Sequence, residues 1–499
     1  MAIAEQDLAV VKQETLQSLN PATGEVVATF PIAGPDEVQA AVARARIAAA
    51  WWRDLGYGER KRRLLAFKGV VARRSEELAD LVRRENGKPI ADGMIEIVTA
   101  IDHLDWAAKH AEKIMGLRKM RSSINLINHA AYIEEQPLGV IGVIGPWNYP
   151  VHTPMGSITY ALAAGNAVVY KPSEYTPAIG QWLVDAFATV VDEQPVLQIV
   201  HGYGATGAAL STSGVNKIAF TGSARTGRKI MAACADSLTP VLMELGGKDA
   251  LIVDEDADVE AAADAAVWGA IQNAGQACVS VERAYVHEKV YDRFVEEVVR
   301  IATPLRAGDD PLADIGPITM PSQIDIIDSH LKDAFAKGAK ALVGGPDAVH
   351  APYVDPVVLV DVPSDALILK DETFGPVLPI QKVASAEEAL ALANDTAYGL
   401  GNSVWGKKRA MDIARRLRSG MVSVNGIVTY AGMPTLPFGG IGESGFGRIH
   451  GEDGLKEFTL THAITKERLK LPMKLLSFQR PAKALAQVTK MTKFMHGRS

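Results

Sequence analysis

Thirty-four positions separate a carboxylate from a thiol in this chain, Glu244 and Cys278. Glu244 is followed by Leu245 and the glycine pair Gly246-Gly247, and Cys278 comes just after Gln272, Asn273, Gly275 and Gln276. A carboxylate beside two glycines and a cysteine behind a glycine are the parts of a general base and a thiol nucleophile that meet across a cleft. A cysteine alone is more often a small buried hydrophobe. Its company is what favours a reactive thiol.

Further motifs share that logic. Gly142-Val143-Ile144-Gly145-Pro146-Trp147-Asn148-Tyr149-Pro150 closes an apolar run, where ligands of open parallel sheets bind. The Asn148 amide is a neutral donor suited to a developing oxyanion; read alone, it would be a turn residue. Lys171-Pro172-Ser173-Glu174 follows another such run. Its lysine can hold a ribose or a phosphate, and its carboxylate accepts from ribose hydroxyls and repels a 2′-phosphate. A solvated loop is the plainer reading of those four residues alone. Phe220-Thr221-Gly222-Ser223 leads from a strand into a helix whose free N-terminus suits a pyrophosphate. Gly202, Gly204 and Gly207 match the dinucleotide fingerprint by letter, but no acidic residue ends a following strand at the usual distance. We read them as a glycine loop near an adenine. Asp371-Glu372-Thr373-Phe374-Gly375-Pro376 and residues 437–448 read, one by one, as glycine-rich turns. The histidines look scattered, no cysteine pair has ligand spacing, and no metal site is expected.

These residues need strands to carry them. From Pro137 onward, short Val/Ile-rich runs at 140–144, 167–170, 197–200, 217–220 and 250–253 alternate with helical segments, a pattern of βαβ units and a mainly parallel sheet. After Cys278 the pattern restarts at 283–287, 341–343, 377–383, 402–405 and 421–424, which we read as a second α/β lobe. Upstream, Asn20 to Gly24 reads as a turn. Pro35-Asp36-Glu37 opens a helix, a charged helical segment follows from about Gly58, Ser75 starts another, and Asn86-Gly87 stops it. A further helical segment runs to about Gly116. Residues 120–136 look strand-like and resemble an arm.

The length of 499 residues implies two or three lobes. Two cysteines, Cys234 and Cys278, cannot build a disulfide framework and favour a reducing compartment. The first residues show no basic region and no apolar core of signal length, so secretion is not expected. Residues 137–170 hold no Asp, Glu, Lys or Arg, yet prolines and glycines interrupt them, so buried strands fit better than a membrane span. Of the net charge of −6, residues 466–499 contribute +8, leaving −14 on the body. An acidic body offers no footprint for nucleic acid.

Taken together and in this order, the motifs resemble those of the aldehyde dehydrogenase superfamily from about Asn20 to about Lys466. The resemblance implies an α/β fold of two doubly wound parallel-sheet domains plus a small β oligomerisation arm. Residues 1–119 and 137–246 would form an NAD-binding domain and 247–452 a catalytic domain. Residues 120–136 and 453–466 would form the arm, with 467–499 as a basic C-terminal extension. It also implies roles. Cys278 would attack the aldehyde, Asn148 and the Cys278 backbone N–H would hold the oxyanion, and Glu244 would activate the hydrolytic water. Lys171 and Glu174, with Ser173 between them, would grip the adenosine ribose. Gly222 and Ser223 would seat the pyrophosphate, and Glu372 the nicotinamide ribose with Phe374 beside the ring. Ile144, Pro146, Trp147, Gly204, Phe220, Thr221, Leu245 and Gly246 would complete the cofactor site. The expected cofactor is NAD, the substrate an aldehyde, the assembly a homodimer or homotetramer, and the location cytoplasmic.

The chain also departs from common members of that family. Gly442 stands where many carry a Lys, Gly156 where acetaldehyde-type members carry a bulky aromatic, and Ala277 and Val279 keep the nucleophile's surroundings apolar. These point to a hydrophobic medium- or long-chain or aromatic aldehyde, with Gly156 expected to widen the access tunnel. In the tail, Leu485, Val488, Met491 and Met495 share one helical face and Lys483, Gln487 and Lys490 the other. Such a helix lies on an anionic membrane or docks on the body or a partner subunit. Two other functions stay open: a coenzyme A-acylating dehydrogenase, disfavoured by Glu244, and a non-catalytic protein on the same fold.

Overall fold

A computed structural model describes residues 14–123, 126–310, 312–470 and 477–497. The opening residues read for a signal, positions 124–125 of the arm, and positions 471–476 and 498–499 of the tail lie outside them. The Asn20–Gly24 turn joins the antiparallel strands Thr15–Leu19 and Val26–Pro31. Four helices follow: Pro35–Asp54, Gly56–Arg73, Ser75–Asn86 and Ile90–Met115. Asp36 and Glu37 occupy the first turn of the first helix, where the dipole favours acids. Gly87 ends the third at φ 84°, a left-handed conformation that glycine adopts without steric cost.

The first large sheet runs in the order Gly445–Phe446, Val241–Glu244, Lys217–Thr221, Val140–Ile144, Ala167–Lys171, Leu197–Ile199. The last five are parallel to one another. Every residue of Val140–Ile144 and Ala167–Lys171 is buried, the mark of strands covered on both faces. Chain direction across the sheet reverses between Val140–Ile144 and Lys217–Thr221. At such a switch point the loops leaving the strand ends part and open a crevice.

The second sheet runs Lys340–Val343, Val357–Val360, Val377–Val383, Val281–His287, Asp249–Val253, Asn402–Trp405, Ser423–Val424. Two expectations are corrected. The 250–253 run, taken above with the first lobe, lies between Val281–His287 and Asn402–Trp405, so the second sheet starts before Cys278. The Gly445–Phe446 segment, read as turn chemistry, pairs antiparallel with Val241–Glu244 and returns the chain's late residues to the first sheet.

A separate unit holds residues 115–136 and 460–499. It carries a three-stranded sheet ordered Thr459–Glu467, His129–Pro137, Arg118–Met120, and the helix Ala484–His496. On that helix Leu485 and Phe494 are each 75% exposed. No described helix is long and apolar enough to cross a membrane.

Candidate active site

A cavity of about 900 Å³ opens at the carboxyl ends of four strands of the first sheet. Val140–Ile144 delivers Ile144, Pro146, Trp147 and Asn148, and Ala167–Lys171 delivers Lys171, Ser173 and Glu174. Lys217–Thr221 delivers Phe220, Thr221, Gly222 and Ser223, and Val241–Glu244 delivers Glu244, Leu245 and Gly246. Gly204, Cys278, Glu372 and Phe374 reach the same cavity from other segments. All the residues singled out as catalytic or cofactor-binding thus line one space.

Cys278 sits on a costly backbone. Asn273, Ala274 and Gly275 are consecutive left-handed residues at φ 51°, 55° and 72°. A non-glycine residue pays for this conformation in steric strain, so neighbours must hold it in place. Asn273 Nδ2 donates to the Asn148 carbonyl and to the Gln276 carbonyl, both at 3.1 Å. Gln276 Nε2 donates to the Asn273 carbonyl at 2.9 Å, and its Oε1 accepts from the Thr319 N–H at 2.8 Å. A Cβ on Gly275 would strike the Gly375 backbone, and one on Gly247 the Cys278 carbonyl. These glycines permit the close approach of chain segments that the cysteine loop needs.

Glu244 is 2% exposed, and neither carboxylate oxygen meets a donor at hydrogen-bonding geometry. Burial raises its pKa to about 7, against the smaller opposing influence of the nearby Cys278 thiol and Thr221 hydroxyl. A buried carboxyl with unpartnered oxygens facing a cavity has the titration range of a general base at neutral pH. Burial, and next the Glu244 charge, hold the Cys278 thiol well above its ordinary range. The resting form is therefore the thiol, which needs a base to take its proton.

Asn148 is buried, and its Nδ2 donates to the Gln276 carbonyl at 3.1 Å. An amide nitrogen has two N–H groups, so one remains for a ligand. Sequence reasoning missed what aims this side chain. Lys88 and Glu96 form a fully buried pair at 2.5 Å. Lys88 Nζ donates to the Asn148 carbonyl at 3.0 Å, and Glu96 Oε1 accepts from the Val151 and His152 N–H groups at 2.7 and 3.0 Å. The only sequence signal was charge at the edge of an apolar helical segment.

On the opposite wall, Glu372 accepts from the Gly247 N–H at 2.9 Å, and a Cβ on Gly246 would collide with its carboxylate. Burial, then repulsion from Glu282, raise the Glu372 pKa to about 8. Glu282 in turn accepts from the Thr373 and Phe374 N–H groups and pairs with Lys248. Ser223 caps the helix Ala224–Ala235 by accepting from the Thr226 N–H at 3.3 Å. Lys171 Nζ donates to the Pro172 carbonyl at 2.8 Å and lies 3.8 Å from Glu174. A helix N-terminus, a buried lysine and a glycine-lined approach form a cradle whose shape and charge fit a dinucleotide. Arg225, Lys229, Met320 and Ile326 also line the cavity and were missed. Arg225 and Lys229 stand four apart on the helix after Gly222-Ser223, a spacing that places both on one face.

Two further expectations fail. Gly156 does not widen a tunnel: a Cβ there would lie 2.8 Å from His450 Nε2, so the space the glycine leaves is filled by that imidazole. Nor are the histidines all scattered, since His103, His152 and His450 meet.

The aldehyde dehydrogenase family model matches residues 10–464. The chain belongs to that family. An aldehyde dehydrogenase relative from Methylomonas sp, 4,4'-diapolycopene aldehyde oxidase, is 38% identical over 92% of this chain and 87% of its own. A glutarate-semialdehyde dehydrogenase of Pseudomonas aeruginosa is 34% identical over 89% of this chain and 92% of its own. The crystal structure of an NAD-dependent aldehyde dehydrogenase from Sinorhizobium meliloti superposes with a TM-score of 0.88 at 34% identity, covering 93% of each chain. As a member of this family the protein is an oxidoreductase that acts on aldehydes.

Proposed function

We propose that the protein oxidises a hydrophobic aldehyde to the carboxylic acid through a thioester on Cys278, with NAD as acceptor. The observation that carries this reading is the meeting of Cys278, Glu244 and Asn148 on one cavity. Glu244 takes the thiol proton, and the sulfur adds to the aldehyde carbon. The free Asn148 N–H and the Cys278 backbone N–H receive the alkoxide. NAD held in the cradle would supply the acceptor for the hydride that the adduct must lose to become the thioester. Glu244 passes the first proton to solvent and then deprotonates a water; the hydroxide adds to the thioester carbon, the C–S bond breaks, and the acid leaves as the sulfur is reprotonated.

Lys171, Ser173 and Glu174 hold the adenosine ribose, Gly222 and Ser223 the pyrophosphate, and Glu372 the second ribose beside Phe374. Glu174 favours NAD because a carboxylate repels a 2′-phosphate. The relatives' names call for opposite surroundings, since glutarate semialdehyde carries a carboxylate at its far end. The buried Ala277 and Val279 beside the nucleophile support the hydrophobic choice. The cavity's basic residues Lys171, Arg225 and Lys229 stand with the cofactor cradle. The three-stranded sheet is the expected subunit contact of a homo-oligomer, and the Ala484–His496 helix a peripheral membrane contact.

The test is reduced-cofactor formation without coenzyme A, across straight-chain aldehydes of rising length, benzaldehyde and succinic semialdehyde, with NAD and with NADP. Efficiency should rise with chain length and favour NAD. Preference for the semialdehyde would overturn the substrate reading, preference for NADP the cofactor reading, and a strict need for coenzyme A the hydrolytic one. Asn148→Ala should lower kcat by about 10²–10³ with little change in KM, as loss of one oxyanion donor does. A raised KM at unchanged kcat would remove Asn148 from that role.

A further inference from the structure

Outside the residues that line the cavity, His103, His152 and His450 bring one ring nitrogen each to within 4.8 Å of one another. His103 comes from the helix Ile90–Met115, His152 is the first residue of His152–Ala164, and His450 precedes Gly451–Lys456. His450 is 0% exposed and His103 1%. Both ring nitrogens of His450 lack a hydrogen-bond partner, as does Nδ1 of His103 and of His152. Buried polar atoms without partners are rare in folded proteins, and coordination of an ion is one way such atoms are satisfied.

The arrangement has a metal site's second layer as well. His103 Nε2 lies 2.9 Å from the Ala431 carbonyl. A carbonyl only accepts, so Nε2 carries the proton and Nδ1 keeps its lone pair. A ring N–H held by a backbone carbonyl is how metal-binding histidines are oriented. His450 adds an independent sign. Its backbone sits at φ 65° and ψ 165°, a region otherwise left to glycine. The chain also carries Gly156 where any side chain would meet the His450 ring. Backbone strain and a vacated position both serve to bring this imidazole to the other two.

We propose that His103, His152 and His450 bind a divalent transition metal of the zinc and cobalt class. Three neutral imidazoles suit such ions, with solvent as the fourth ligand. Metal–nitrogen bonds of 2.0–2.1 Å place tetrahedral ligand nitrogens about 3.4 Å apart; the His152 ring centroid already stands 5.2 and 5.3 Å from the other two, and the set closes once the His103 and His450 rings, now 3.6 Å apart, swing away from each other. The ion would tie three chain segments together four residues from Asn148, which makes it a staple for the Asn148–His152 loop.

The experiment uses untagged full-length protein carrying Cys278→Ala, so that the catalytic thiol does not compete. After chelator treatment it is titrated with Co²⁺ and followed by visible absorption and bound-metal analysis. One Co²⁺ per chain, with the intense bands of four-coordinate cobalt and a raised Tm, is expected. His152→Gln and His450→Gly, the latter chosen because glycine adopts this backbone conformation without strain, should each weaken binding on the order of 100-fold and abolish the Tm rise. Circular dichroism of the metal-free variants reports whether they fold. Absence of the bands in the parent protein overturns the proposal whatever the variants do. Binding that survives both substitutions overturns it too, because the ion then sits on other histidines.

Discussion

Cys278→Ala abolishes aldehyde oxidation, with kcat/KM falling on the order of 10⁴-fold or more, as removal of a covalent nucleophile does. The same change at Cys234 leaves turnover intact. The two thiols have similar chemistry and opposite settings. Cys234 is 1% exposed on the helix Ala224–Ala235, with its sulfur 3.6 Å from the Ser211 carbonyl. Cys278 opens on the cavity beside the carboxylate that can take its proton. An aldehyde-mimicking electrophile should therefore label Cys278 in preference to Cys234 by mass spectrometry. Equal labelling, together with activity that survives Cys278→Ala, would leave the fold without this chemistry and favour a binding protein.

Glu244→Gln should lower steady-state kcat by about 10²–10⁴, the range for loss of a general base. The variant should still give a slow burst of at most one reduced cofactor per site, because its thioester cannot be hydrolysed. Native activity should rise with pH through about 7, where Glu244 becomes a carboxylate. Stability moves the other way. The folded pKa lies above the ordinary 4.5, so between those values the native state keeps a proton that the unfolded chain releases. Raising the pH through this window costs stability, on the order of 1–3 kcal/mol once Glu244 is charged. Glu244→Gln should thus raise Tm at pH 8 and change it little below pH 4.5. Steady-state turnover within tenfold of the parent at pH 7 would rule Glu244 out as the base.

Local pattern was readable where one segment carries its own signal. The runs at 140–144, 377–383 and 402–405 are strands with those bounds, and the clearest, 140–144, is a short Val/Ile run buried on both faces, which needs no partner to identify it. Gly445–Phe446 escaped because two residues are too short to show a period, whereas Val357–Val360, a buried run of the same kind as those found, was missed. The cavity residues with motif neighbours were found. Lys88, Glu96 and Glu282 were not, because a charge buried against a distant partner looks in sequence like a charge in water. Gly156 shows the same limit. Its sequence meaning was open space, and the side chain that fills that space comes from the far end of the chain.

That late return has a consequence for biosynthesis. Asn148, Glu244 and Cys278 leave the ribosome well before the strand Gly445–Phe446 that borders Glu244, and before the Ser444 carbonyl that accepts from the Leu245 N–H at 3.2 Å. Until that strand arrives, Val241–Glu244 is an uncovered sheet edge, the kind of surface that pairs with other chains. The nascent enzyme therefore carries Glu244 on an adhesive edge while about two hundred further residues are made. Closing the sheet and completing the surroundings of the base are one late event, governed by long-range contacts that form slowly.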